Sequence, residues 1–171
     1  MRMIRRALGA AILLASPLAP IAHAGTDTAN LGVSATVSAN CTIATTALAF
    51  GEYDPVDVNA ASGLDGTGTV SVTCTFGADV VIELDEGANE DTGSQPDAPL
   101  RRLTDGSDNY LSYALHSDAG RTAVWATGAA ADVPHTGTGA QVPFTVYGRI
   151  AAGQNVPEGN YTDTVMATVT F

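Results

Sequence analysis

The chain has 171 residues, of which 18 are acidic and 7 basic, for a formal charge of −11; every basic residue is arginine. So acidic a surface repels phosphate and excludes nucleic acid as a partner, and the length suits one domain rather than two. A hydrophobic content of 45% against 15% charged is too apolar for a disordered chain, and Thr, Ser, Ala and Gly in excess over aromatics favour short strands and tight turns.

The first element is an address. Arg2, Arg5 and Arg6 precede an apolar stretch over 7–14 and a small-residue end, Ala22-His23-Ala24, which predicts an export signal over residues 1–24 with cleavage before Gly25. Pro17 and Pro20 interrupt the run, which falls short of the roughly 20 apolar residues of a membrane span. No later stretch could cross as a helix, so no transmembrane segment is expected in the mature protein. Cleavage leaves 4 basic residues against the same 18 acids, a formal charge of −14 that keeps an exported protein soluble. Export also places Cys41 and Cys74 in an oxidising compartment, where an even pair is most simply one disulfide. The loop of some 33 residues makes it worth about 3.5 kcal/mol in the chain-entropy model. A metal or catalytic thiol is disfavoured, with no CxxC and no histidine near either cysteine.

The mature chain has a dominant period of two. Over 29–43 every odd position is apolar or small, including Leu31, Val33, Ala35, Val37, Cys41 and Ile43, and every even position is polar or Gly. This alternation predicts a strand with one buried face, yet it is long against a typical strand of about 5–6 residues, long enough to serve two places. A short strand is expected over 47–53, ended by Asp54-Pro55, and a Gly-rich loop over 63–66. Strands follow over 69–76, with Val70, Val72, Cys74 and Phe76 inward, and over 79–85, with Val80, Ile82 and Leu84 inward. An acidic loop spans 86–99, then a short piece 100–103. The strand over 109–117 turns Leu111, Tyr113 and Leu115 inward; a short piece at 123–126 carries Trp125; 128–139 reads as loop. Strands over 141–150 and 161–171 close the chain, the last with Val165, Ala167, Val169 and Phe171 on one face. With no helical period in the mature part, the fold class is an all-β sandwich. Apolar alternation carried through to Phe171 is unusual, since most domains end in a few frayed polar residues.

Candidate chemistry is sparse. His116, beside Ser117-Asp118, reads as a surface histidine, because adjacent strand residues point to opposite faces and cannot form a triad. His135 reads as loop decoration. The pairs Glu83/Asp85 and Glu90/Asp91 could serve a glycosidase only if suitably held, and read as solvated charge. The run Asp105-Gly-Ser-Asp-Asn109 resembles the opening of a calcium loop, but Tyr110 stands where Gly is required and His116 where the closing Glu belongs. No metal, cofactor or catalytic residue is expected.

Several stretches resemble the spore coat protein U family, which includes the Csu-type pilin subunits of archaic chaperone–usher pili. They are Ser38-Ala-Asn-Cys41-Thr-Ile, Phe50-Gly-Glu-Tyr-Asp-Pro55, Gly68-Thr-Val-Ser-Val-Thr-Cys74-Thr, Tyr110-Leu-Ser-Tyr-Ala-Leu-His, and Pro157-Glu-Gly-Asn-Tyr-Thr-Asp-Thr-Val165 with Val169-Thr-Phe171. The resemblance runs in order over the mature chain and includes both cysteines. It implies an immunoglobulin-like β-sandwich that lacks its last strand and is completed by a donor strand from a partner. A periplasmic chaperone would fill the gap first. At the outer-membrane usher the N-terminal extension of a neighbouring subunit would replace it, building a head-to-tail polymer at the cell surface that serves adhesion and biofilm formation. On that reading residues 25–37 are the donor extension, with Leu31, Val33, Ala35 and Val37 inserting, and residues 38–171 are the pilin domain. Val165, Ala167, Val169 and Phe171 line its acceptor groove. Burial of the four donor side chains would contribute roughly 4–8 kcal/mol. The alternative is a secreted spore or cell-surface coat protein of the same fold.

Overall fold

The computed structural model describes residues 24–171, so the export signal expected over 1–24 lies, but for Ala24, outside the described residues. The chain divides after Ala35, and Thr36–Phe171 forms one compact unit. Among the described residues there is no helix, and none long and apolar enough to cross a membrane.

Among the described residues eight strands follow one another: β1 (Cys41–Thr46), β2 (Leu64–Cys74), β3 (Asp79–Leu84), β4 (Arg102–Thr104), β5 (Tyr110–His116), β6 (Val133–Thr136), β7 (Gln141–Ile150) and β8 (Ala167–Thr170). They form a five-stranded sheet ordered β1-β2-β7-β5-β4 and a three-stranded sheet ordered β6-β3-β8. The period-two pattern explains the core. Val70, Val72 and Cys74 of β2, Val80, Ile82 and Leu84 of β3, Leu111, Tyr113 and Leu115 of β5, and Val146 and Ile150 of β7 are all buried. Trp125 fills the middle, its indole N–H donating to the Ile82 carbonyl at 3.0 Å, so a buried donor is satisfied where the large ring packs. Cys41 and Cys74 are directly opposed in the β1–β2 register and form the expected disulfide.

The structure corrects several expected elements. The long alternation over 29–43 contributes only its last residues to β1; residues 24–40 pair with no strand, and Leu31, Val33 and Val37 are 87%, 87% and 83% exposed. Residues 47–53 form no strand. The presumed Gly-rich loop over 63–66 is instead the start of β2, where Gly66 pairs with Gly148 of β7. Phe76 is not inward: β2 stops at Cys74, a turn with Gly77 at φ +78° follows, and Phe76 is 83% exposed. The presumed loop over 128–139 holds β6, an edge strand that tolerates Pro134 because a proline need not donate there. Of residues 161–171 only Ala167–Thr170 is strand.

The registers also fix the ends of the sandwich. Cys41 and Cys74 lie at one end; the turn after Cys74 leads into Asp79, so the β8 residue Thr170, opposite Val81, lies toward the same end. Thr46, Leu84 and Ala167 lie at the other.

Candidate strand-acceptor groove

No ladder joins the two sheets along one side. β8 pairs with β3 through one edge only, and β1 borders the other sheet. Between them an apolar groove of about 300 Å³ opens. One wall is the stretch 45–50 that leaves β1; the other is 163–167, which leads into β8. The floor is core: Val70, Leu84, Leu103, Tyr113, Leu115 and Val146. A second, more polar trough of about 840 Å³ lies between 48–56 and 155–163, bordered by Leu48, Phe50, Leu103 and Asp163, which border the first as well.

The first wall stands on glycines. A Cβ on Gly148 would lie 2.8 Å from both Leu48 Cδ1 and Phe50 Cζ, and one on Gly66 would lie 3.0 Å from carbons of the same two side chains. A side chain at either position would have to displace the ends of Leu48 and Phe50. Bare backbone lets Leu48 and Phe50 lie flat, and Phe50 meets Tyr113 edge to face at a centroid distance of 6.0 Å. This is why 47–53 packs without being a strand: its contacts are to a face, not to a ladder.

Of the residues expected to form the acceptor, Val165 and Ala167 line the groove. Val169 is half-buried and packs on the core beside them. Phe171 is 55% exposed and stands beyond the groove lining. The residues expected to insert, Leu31, Val33, Ala35 and Val37, are all exposed. Their arm is rooted firmly: Thr75 N–H donates to the Asn40 carbonyl at 2.9 Å, and Asn40 N–H donates to Thr75 Oγ1 at 3.1 Å, which extends the β1–β2 pairing past the disulfide.

Sequence reasoning missed the wall over 45–50 and Asp163. Asp163 shares the parity of Val165 and Ala167, and a charge at an inward position of an apolar alternation is the signal that could have found it. Its carboxylate accepts from the buried Tyr113 hydroxyl at 2.6 Å. Burial, then this carboxylate, pushes the Tyr113 phenol far above its ordinary value, so it stays a donor. Arg101 is buried behind the floor and donates to the Leu84 and Trp125 carbonyls at 3.0 Å each; burial pulls its guanidinium below the usual arginine range.

The candidates for chemistry serve structure. His116 is buried rather than on the surface, because Val124 bridges to it and covers the end of β5; its Nδ1 lies 3.3 Å from the Tyr147 carbonyl. His135 belongs to β6 and packs edge-on to Phe144. Glu83 accepts from Gly128 N–H, Asp85 from Gly87 and Met166 N–H, and Asp91 pairs with Arg102, while Glu90 offers Arg102 only its backbone carbonyl. The Asp105 carboxylate is taken by Ser107 and Asn109 donors, with the Asn109 amide first among the causes holding its pKa down. No group of three acidic, His or Cys side chains is placed to hold a metal among the described residues.

An all-β, immunoglobulin-like sandwich with an uncovered groove and a free strand edge defines an incomplete β-sandwich. A family model for the spore coat protein U domain matches residues 27–168, and the chain belongs to that family. It is 45% identical to Protein U of Myxococcus xanthus over the whole of both chains. It also resembles the structure of the CsuC-CsuE chaperone-tip adhesion subunit pre-assembly complex from archaic chaperone-usher Csu pili of Acinetobacter baumannii. There the TM-score is 0.57 at 18% identity, covering 80% of this chain and 40% of that one. The likeness to that structure is one of fold.

Proposed function

We propose that the protein is a structural subunit that assembles head to tail by strand donation. Leu31, Val33, Ala35 and Val37 of one copy enter the groove of the next, against Val165, Ala167 and Val169, with Phe171 at its margin. One observation carries this reading: an apolar groove lies open beside the free edge of β8, while the same chain holds an exposed arm whose apolar side chains alternate. The arm from 28 to 42 is uncharged, so its insertion buries no unpaired charge. Backbone bonds to β8 supply affinity and alternate side chains supply register. The donor and acceptor surfaces differ, so the contact repeats without closing and builds a filament. A periplasmic chaperone would cap the groove before assembly, an outer-membrane usher would exchange it for the arm, and the product would be a surface pilus serving adhesion and biofilm formation. Residues 25–37 act as the donor and 38–171 as the acceptor domain.

A second reading has its own support: the family takes its description from the spore coat, and the relative identical at 45% is Protein U. Here the same contact would build a coat instead of a pilus.

The test is to express the chain from Gly25 alone, with a companion periplasmic chaperone, and with 25–37 deleted. Strand donation predicts polymer or precipitate from the first, a one-to-one complex from the second and no polymer from the third. A stable monomer that never polymerises would overturn it. Immunogold microscopy on native cells separates the readings, with label along fibres for a pilus and over a continuous layer for a coat.

A further inference from the structure

The wall ahead of β8 is pinned at points rather than along a ladder. Between Tyr161 and Met166 it has one bridge, Thr104 with Thr162; beyond it the Thr164 and Met166 carbonyls accept from Ala88 and Asp85 N–H at 3.0 Å each, and the Met166 N–H donates to the Asp85 carboxylate. Yet this wall carries Val165 beside an open apolar groove. An empty groove of that kind favours closure, because tilting Val165 inward would bury apolar surface.

Besides those two backbone bonds, one side chain opposes that movement. Asp163 Oδ1 accepts from the Ala88 N–H at 3.1 Å and from the Asn89 side-chain amide at 2.8 Å, while Oδ2 accepts from Tyr113. Three separate parts of the molecule meet on this carboxylate: the groove floor through Tyr113, the loop after β3 through Ala88 and Asn89, and the wall itself. The loop is shaped to receive it. Gly87 sits at φ +83°, and a Cβ there would drive into Asp163 Oδ2. Closure of the wall would break these bonds together and strand a charge over an apolar floor.

We propose that Asp163 is a positioning residue that holds the empty acceptor open for an incoming strand. This rests on the strand-donation reading. Its action is confined to the empty state. Once a strand pairs with β8, the added ladder and the inserted side chains hold the wall by themselves, and the carboxylate becomes dispensable.

The test uses the full chain from Gly25 carrying Val33→Asp, which can accept but not donate, freshly refolded at low concentration. A fluorescent peptide of residues 27–40 is added, with a scrambled peptide as control, and association and dissociation rates are read by anisotropy. Asp163→Asn should slow association about tenfold, the loss expected when charge-assisted bonds are weakened, and leave dissociation within about twofold. Gly87→Ala, which displaces the carboxylate without removing it, should show the same split, and Tyr113→Phe a smaller one. Should Asp163→Asn fail to refold, Gly87→Ala and Tyr113→Phe decide the matter. Association unchanged in these variants overturns the proposal. So does equal loss in association and in the lifetime of the filled subunit, the mark of an ordinary stabilising residue. If the chain with native Asp163 takes up the arm peptide no better than the scrambled one, the strand-donation reading falls and this inference with it.

Discussion

Residues 29–37 and residues 70–74 carry the same alternation and end in opposite places. Val70, Val72 and Cys74 are 2%, 1% and 3% exposed, whereas Leu31, Val33 and Val37 stand free. The difference is not in the strands' own patterning but in what lies opposite. β2 has β1 and β7 as neighbours and β3 across the core, while the arm has no ladder at all. Period two says that a segment has one face to bury; it does not say whether the burying surface belongs to the same molecule.

Substitutions on the two sides should therefore separate stability from assembly. The largest effect is expected from Val33→Asp. It should abolish polymer by placing a charge in an apolar groove, while the urea midpoint of the domain itself stays within error. Next is Ile82→Ala, at a fully buried site: it should cost about 2–5 kcal/mol by urea unfolding, whereas Val33→Ala, at an exposed one, should cost the domain nothing measurable and weaken assembly only. Gly148→Ala should fall between, because Leu48 and Phe50 must shift; a loss of about 1–3 kcal/mol with slower uptake of the arm peptide is expected. No change in either would show that the first wall is not seated as described.

The smallest effect concerns the outer face of the β2–β7 pair. Asp65 accepts from Arg149 at 2.6 and 2.8 Å and lies 3.2 Å from Arg121. The Arg149 hydrogen bond, above all, holds the Asp65 carboxyl below its usual range. A depressed folded value means that this stabilisation is present above the unfolded pKa, near 4, and fades as pH falls through the folded one. Asp65→Asn should flatten the acid end of the stability curve by a few tenths of a kcal/mol, as befits a solvent-exposed pair. Equal acid sensitivity in the variant would assign the effect to other carboxylates.

The strands that face their own core were legible because burial follows parity in β2, β3, β5 and β7. Elements that break the usual punctuation were not. Gly66 read as a loop residue, but it lies inside β2, where the absence of a side chain makes room for Leu48 and Phe50. Pro134 hid β6 for a similar reason, since an edge position forgives it. Phe76 looked inward by parity, yet the turn after Cys74 released it. Of the groove, β8 with Val165 and Ala167 could be read from the sequence. The opposite wall could not, because residues 47–53 are held by contact with a glycine surface rather than by a periodic pattern of their own.

The position of the arm's root has a consequence for polarity. Every ladder among the described residues is antiparallel, and a strand laid that way along the free edge of β8 must point its N-terminus toward Thr170. The chain's own arm departs from Asn40, at that same end, so the only direction in which it could lie along its own β8 is parallel. A neighbour's arm, arriving from the Asp163 end, has no such constraint. On the strand-donation reading, the placement of one root thus favours a second molecule over self-closure and gives the assembled chain two unlike ends.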